Sequence, residues 1–565
     1  MSTNLRWDSP IRIADEYAAG CNYKAGLGRR GLFEQSKVNE RFYIGDQWHG
    51  VHASAERPLV RENIIKRIGD YKMALIGSNP ISVNYTADGI SNTVDMQNRI
   101  QKWRSQLALG VWPTEEIVSS EDEVNLVMAA LSDYFRVTAE RLRFDELKSR
   151  VLRQAYISGT GLLYTYWDDH LKTGLYADEA HTTPILGDIR CEVLDVENVC
   201  FGDPTLDDIQ EQPYILVVQR RRLDDIKLEM KRLGRTKQAE NLRPDHIGAE
   251  EGETGKATVI TKFYREWDET GTQSIIRAVR VCGNVTVRPA WSLGIRQYPL
   301  AKFQWEPRRR SIYGESEITH LIPNQIAINR MVTASVWAVM MMGIPIMVVN
   351  GDVVQQKVTN DPGQVIRVYG SSEDVNSAIR YIQPPNFSPQ FDANIASLIR
   401  NTMSQSGAND AALGNMNPDN TSAIIALREA AALPMQTMQN QFYAFVEDVA
   451  RIWAEFWVSL YGPRSLKIED DSGIWYLPFD GNRYRDVLIS VRTDVGASSL
   501  WSEAQSVQTL DNLFSHQVID AMQYLSRLPK GTVPNLSGLL RELQEAKEVT
   551  PPVTEGGDAL EVPLV

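Results

Sequence analysis

Nineteen consecutive residues, 331–349, carry no charge, and no other stretch of the chain limits its fold as strongly. The run contains Thr333, Ser335, Gly343 and Pro345, but its apolar residues are not confined to one face. A helix that is apolar all round must be buried, either in protein or in lipid. The run is close to the ~20 residues that cross a bilayer, so a single membrane span is one reading. It stands alone, and no cluster of Lys or Arg lies immediately beside it. Burial between neighbouring copies of the chain is therefore the expectation.

The 565 residues suffice for several cores and suggest two to four domains. With 43% hydrophobic and 23% charged residues the chain is an ordinary globular one. Its net charge of −13 disfavours a sequence-specific DNA binder, which would carry a basic face. The same sign permits a surface that DNA slides past, because Lys/Arg–phosphate pairing would slow passage. Cys21, Cys191, Cys200 and Cys282 form no CxxC, so reduced, partly buried thiols are expected. The first thirty residues hold charges and no apolar core, and no signal peptide is expected there.

Periodicity predicts a helix from Leu32 into 42–48, ended by Gly45-Asp46. A second helix carries Ile64, Ile65, Ile68, Tyr71 and Leu75 on one face and stops at Asn79-Pro80. A strand over 81–85 follows, then two helices within 121–158. Gly159-Thr160-Gly161 ends the second of these before a β-prone stretch, 162–167. The interval 185–300 shifts to strands, at 189–196, 214–220, 258–267, 275–282 and 284–289, with one helix at 223–233. Pro323 argues for starting the next helix near Asn324, ending near Gly343. Three short strands, 346–349, 365–369 and 379–382, lead to a helix over 388–406. A long Ala-rich helix capped by Asp419-Asn420 should kink at Pro434 and run on to Gly462-Pro463. Strands at 474–477 and 487–491 should rejoin the β-rich domain, with helices at 500–525 and 536–547.

Chemical motifs mostly fail. Gly252-Glu253-Thr254-Gly255-Lys256 has Glu250 at the required earlier glycine and Ala257 in place of Ser/Thr, so no phosphate loop is expected. His49 and His52 lack a carboxylate-rich partner, and no HExxH occurs. Gly314-Glu315-Ser316-Glu317 lacks the second glycine of a nucleophile elbow. The expectation is a non-enzyme with no catalytic, cofactor or metal site. Two basic triplets, Arg220-Arg221-Arg222 and Arg308-Arg309-Arg310, leave two readings open. One is salt bridging to acidic neighbours, within or between subunits. The other is phosphate contact along a channel wall, since guanidinium pairs bidentately with phosphate.

Several blocks together resemble the portal proteins of tailed bacteriophages, the head–tail connector family. They are 32–48 with its Phe-Tyr-x-Gly-x-Gln-Trp, Arg57-Pro58 with Asn63, and 144–167 with Gly-x-Gly before an aromatic strand. Tyr313-Gly314-Glu315-Ser316 with Gln325 and Asn329 completes the set. The sequence departs from the pattern at Pro323 and in its short C-terminal part, so no long helical barrel above the crown is expected.

The resemblance implies an α+β portal fold with helical stem and crown, β-rich wing and small α/β clip. Its map is a wing over 1–313, a stem helix 314–343, a clip 344–387 and a second stem helix 388–406. A tunnel loop 407–421, a kinked tunnel helix 422–462, wing return strands 463–495, crown helices 496–549 and a flexible tail 550–565 follow. It also implies a homo-oligomeric ring, usually of twelve subunits, at one capsid vertex of the virion, made in the host cytoplasm. Double-stranded DNA would pass through non-specifically during packaging and ejection. The terminase large subunit would dock first and a head–tail adaptor or tail protein later. Major capsid and scaffolding proteins are further implied partners. Asn409, Asp410, Asn415, Asn417, Asp419 and Asn420 would line the channel. Arg308, Arg309 and Arg310 would make phosphate or intersubunit contacts. No stable membrane insertion is implied; the competing reading is a membrane-active virion protein that inserts 331–349 during ejection.

Overall fold

The computed structural model describes residues 7–51, 59–77, 81–87, 120–176, 182–245, 255–267, 274–342, 346–354, 357–358, 365–371, 378–382, 389–408, 435–470, 473–485, 487, 489–494, 500–516 and 518–528.

In chain order, the first elements are helices α1 (Pro10–Ala25), α2 (Leu32–Ile44) and α3 (Ile64–Gly77) and strand β1 (Ser82–Ala87). Helices α4 (Ser120–Leu142) and α5 (Phe144–Ser158) lead into β2 (Thr160–Tyr176), β3 (Pro184–Asp195), β4 (Val199–Phe201) and β5 (Tyr214–Arg222). Helices α6 (Leu223–Arg232) and α7 (Thr236–Ala239) precede β6 (Lys256–Trp267), β7 (Ser274–Cys282), β8 (Val285–Ser292) and β9 (Leu300–Gln304). Helix α8 (Glu317–Met342), strands β10 (Ile346–Val349) and β11 (Ile379–Ile382), and helices α9 (Pro389–Gln405) and α10 (Gln436–Leu460) come next. Strands β12 (Arg464–Asp470), β13 (Gly473–Phe479) and β14 (Ile489–Asp494) and helices α11 (Leu500–Ser515) and α12 (Ala521–Ser526) end the described chain.

The fold is a mixture of helix and antiparallel sheet, of the α+β kind. One sheet has five strands in the order β4-β5-β6-β7-β8, built from successive neighbours. A second has the order β3-β2-β9, and three pairs stand apart: β1-β14, β10-β11 and β12-β13. The chain divides into two compact units.

The first unit comprises 1–78, 145–166 and 191–445. Pro10 at the start of α1 has no N–H to leave unsatisfied. Ile13 on that helix packs with Leu216, Val218, Ile260, Val279 and Val281 of the sheet. On the sheet's α6 side, Ile226 and Met230 pack with Val259, Cys282 and Val287. Buried cations have partners: Lys262 bonds Glu16, and Lys24 donates to the carbonyls of Val196 and Glu197. Helices α3 and α5 approach so closely at Gly69 that a Cβ there would lie 2.3 Å from the Tyr156 ring.

The second unit comprises 79–144, 167–190 and 446–565. Trp453 and Trp457 of α10 pack against Phe135 and Tyr134 of α4, with ring centroids 4.9 and 5.1 Å apart. Tyr85 of β1 donates to the Ala450 carbonyl at 2.9 Å. Asp188 accepts from both Tyr461 and Arg141, so its buried charge is matched.

Several expectations change. The helix containing the uncharged run starts at Glu317, not near Asn324, and Pro323 lies inside it. The first turn is held by other bonds: Ser316 Oγ accepts from Ile318 N at 3.2 Å, and Thr319 N reaches the Ser316 carbonyl at 3.1 Å. Pro323 is exposed, so water can meet the Thr319 carbonyl that loses its N–H partner. The stretch 365–369 is not a strand; its Tyr369 N bonds the Val353 carbonyl at 3.0 Å. The strands after α10 do not rejoin the five-stranded sheet. Instead β12 pairs with β13, and β14 pairs with β1. On α3 the buried face is Ile64, Ile65, Ile68, Lys72 and Ile76, while Tyr71 and Leu75 are half-buried. Asp419-Asn420, Pro434 and the helix at 536–547 lie outside the described residues.

Candidate functional site

The candidate site is the excursion of the first unit from Tyr313 through α8, β10, β11 and α9. It begins at a rigid turn. Gly159 and Gly314 face each other so closely that a Cβ on either would lie within 2.5 Å of the other's carbonyl oxygen. Gly314 N donates to Thr160 Oγ1 at 2.8 Å, and Ser316 Oγ donates to the Tyr156 carbonyl at 2.5 Å. Glu317, the first residue of α8, is buried. Its carboxylate accepts from Lys72 Nζ at 2.6 Å and from Trp305 Nε1 at 3.0 Å. A buried charge needs such complete pairing.

The lower part of α8 carries a polar stripe at one-turn spacing: Gln325, Asn329 and Thr333. Gln325 Oε1 accepts from Ile64 N and Ile65 N at 3.0 and 3.3 Å, which serves two of the orphan donors at the start of α3. Gln325 Nε2 donates to Asn329 Oδ1 at 3.0 Å and to the Glu62 carbonyl. Asn329 Oδ1 also accepts from Glu62 N, while its amide donates to Gln47 Oε1 at 2.7 Å. Thr333 Oγ1 accepts from Val60 N at 3.1 Å. The stripe ties three sequence-distant blocks together: the end of α2, the segment 59–65 and α8.

Beyond Thr333 the helix changes character. It is ~39 Å long at 1.5 Å per residue. Val336, Val339 and Met340 are 36%, 60% and 52% exposed on the single chain. Helix α9 returns antiparallel alongside: Asn324 Nδ2 donates to Thr402 Oγ1 at 3.3 Å and Ser335 Oγ to Asp392 Oδ1 at 3.4 Å. Between them β10 and β11 pair with Ile346 opposite Ile382 and Val349 opposite Ile379. Asn350 N extends the ladder to the Ala378 carbonyl at 2.9 Å. Val348, Val365 and Tyr369 are exposed near this hairpin. Exposed apolar side chains gathered on one projection mark an interaction surface. Among the described residues, no helix is long and apolar enough to cross a membrane.

Arg308, Arg309 and Arg310 occupy the turn before Tyr313, with Arg310 at a φ of +51°. Arg308 pairs with Glu315 at 3.1 Å, and with Arg29 and Arg30 it lines a cavity of about 170 Å³. Arg309 and Arg310 are exposed. In the other triplet, Arg221 meets Glu229 at 2.7 Å and Arg220 bonds Asp245. Asn409, Asp410, Asn415, Asn417, Asp419 and Asn420 all lie outside the described residues. Lys256 opens a strand, whereas a phosphate-loop lysine would open a helix. Among the described residues, no group of three or more His, Cys, Asp or Glu is placed to hold a metal ion. Reading the sequence missed the pairing of Glu317 with Lys72 and Trp305; no local signal marks partners 245 and 12 residues away. Comparison with protein-family models and with curated proteins gives no match to this sequence.

Proposed function

We propose that the chain is a portal-type ring subunit through which double-stranded DNA passes into and out of a phage capsid. The observation that carries the reading is the projection α8-β10-β11-α9, whose upper part exposes uncharged apolar side chains. A neighbouring copy would cover Val336, Val339 and Met340, and such burial favours association. In this reading the chain is a conduit and catalyses no reaction on the DNA. A terminase large subunit docks on the hairpin end and drives packaging, and a head–tail adaptor replaces it. Capsid and scaffolding proteins surround the ring. The acidic net charge suits a conduit that holds DNA weakly.

The resemblance of the blocks at 32–48, 57–79, 144–167 and 313–329 supports the same reading. Insertion of 331–349 into a bilayer, the competing reading, gains no support from α8. The test is native mass measurement of the purified chain with negative-stain imaging. A closed ring of about a dozen copies with a central hole is the expected result, the copy number coming from the resemblance. A monodisperse monomer at micromolar concentration, or stable flotation with liposomes without detergent, overturns it.

A further inference from the structure

Helix α1 approaches strand β4 tightly at Gly20, where a Cβ would lie 2.7 Å from Cβ and 2.9 Å from Sγ of Cys200. Only a glycine permits that approach, and it brings the next residue, Cys21, against the same apolar cluster that contains Cys200. Cys200 is buried and Cys21 half-buried, and both are free thiols. Each of the two thiols shifts the titration of the other, as neighbouring sulfurs do. One turn earlier on α1, Tyr17 packs against the same cluster as Cys21. One turn later, the buried Lys24 is anchored to the Val196 and Glu197 carbonyls at 3.0 and 2.7 Å, placing a cation beside the pair.

We propose that Cys21 and Cys200 form an oxidisable dithiol that closes to a disulfide between α1 and β4 when the protein meets a peroxide. The neighbouring Cys200 thiol, helped by Tyr17 and Lys24, outweighs burial and holds the Cys21 thiol below its ordinary pKa. The Cys21 thiol, with burial, pushes Cys200 up. Cys21, the half-buried thiol, is the one a peroxide can reach and so the nucleophile, and the buried Cys200 is the resolving thiol.

The chemistry balances in two steps. The Cys21 thiolate attacks one peroxide oxygen; the O–O bond breaks, Cys21 becomes a sulfenic acid, and the leaving hydroxide takes up a proton as water. The Cys200 sulfur then attacks the Cys21 sulfur as its proton passes to the departing hydroxyl. The S–O bond breaks, the S–S bond forms, and a second water leaves. Two thiols lose two electrons, and one peroxide becomes two waters. The inference rests on α1 and β4 alone and does not depend on the portal reading.

The test treats the full-length chain with hydrogen peroxide, alkylates the remaining thiols and maps peptides by mass spectrometry. Two of the four thiols should be lost. A Cys21–Cys200 cross-linked peptide, lighter than its parts by two hydrogens, should appear and be reversed by dithiothreitol. Cys200→Ser should stop at the Cys21 sulfenic acid, which dimedone traps, while Cys191→Ser should leave the cross-link unchanged. Four alkylatable thiols after peroxide, or a cross-link joining any other pair, overturns the proposal. So does Cys21 proceeding to the sulfinic acid with no cross-link. The overturning readouts come from the unaltered sequence, so a variant that misfolds does not weaken them.

Discussion

The pair Lys72–Glu317 shows how a single residue can hold a long element in place. Both side chains are buried, 5% and 8% exposed, and Glu317 also takes the Trp305 indole N–H. Removing the cation leaves a carboxylate uncompensated in a low-dielectric site. Lys72→Met is therefore expected to cost about 3–5 kcal/mol, read as a lower denaturant midpoint. Adding Glu317→Gln should restore most of that loss, because an amide oxygen can still accept from Trp305 without carrying charge. A midpoint for the double variant no higher than for Lys72→Met would show that packing, not the unpaired charge, sets the cost. None of this was legible in the sequence. Glu317 reads there as one of several acids in a Gly-Glu-Ser-Glu turn, and its depth follows from contacts with residues remote along the chain.

Elements were more readable where their side-chain period is strong. Helices α4 and α5 and strands β5, β6 and β7 fall where the pattern of apolar residues places them. The period fails where bonds from elsewhere decide an end: α8 starts early because Ser316 and Glu317 anchor it, despite Pro323. Sheet order is also not written in the period, since alternation says that a segment is a strand and not which strand it meets. Helix α6 illustrates a contact between elements with a pH signature. Its Glu229 bonds Arg221 of β5 at 2.7 Å and Arg280 of β7 at 2.6 Å. Burial raises the Glu229 pKa, but the two guanidiniums outweigh it and leave the carboxyl below its ordinary range. A lowered folded pKa contributes stability above the unfolded value of about 4.3, and that stability is lost as pH falls through the folded value. The first unit should lose stability on acidification below about pH 4, and Glu229→Gln should flatten that loss while lowering stability at neutral pH. Parallel pH profiles of the melting temperature for the two proteins would refute the assignment.

For the molecule as a whole, the main question is why so apolar a helix ends in the open. Among the described residues Val339 and Met340 stay 60% and 52% exposed, and exposed sites tolerate substitution within about 0.5 kcal/mol. Val339→Glu with Met340→Glu should therefore leave the unfolding midpoint of the dissociated chain almost unchanged. In the ring reading the same change should abolish assembly, because each copy would bury two charges against its neighbour. Native mass and thermal melting, measured on one preparation, separate the two effects. Rings that persist in the double variant would remove α8 from the interface.

Residue order alone was enough to mark the charge-free run, the periodic helices and strands, the glycine turns and the absence of familiar catalytic motifs. These are local properties, set by side-chain chemistry and spacing over a few turns. The three-dimensional arrangement decided the rest. It joined β1 to β14 across some four hundred residues, seated Lys72 on Glu317, aligned Gln325, Asn329 and Thr333 with the backbone of 60–65, and put Cys21 beside Cys200. Such pairings depend on closing long loops and on burying polar groups only where partners converge, and neither condition leaves a trace in the neighbouring sequence.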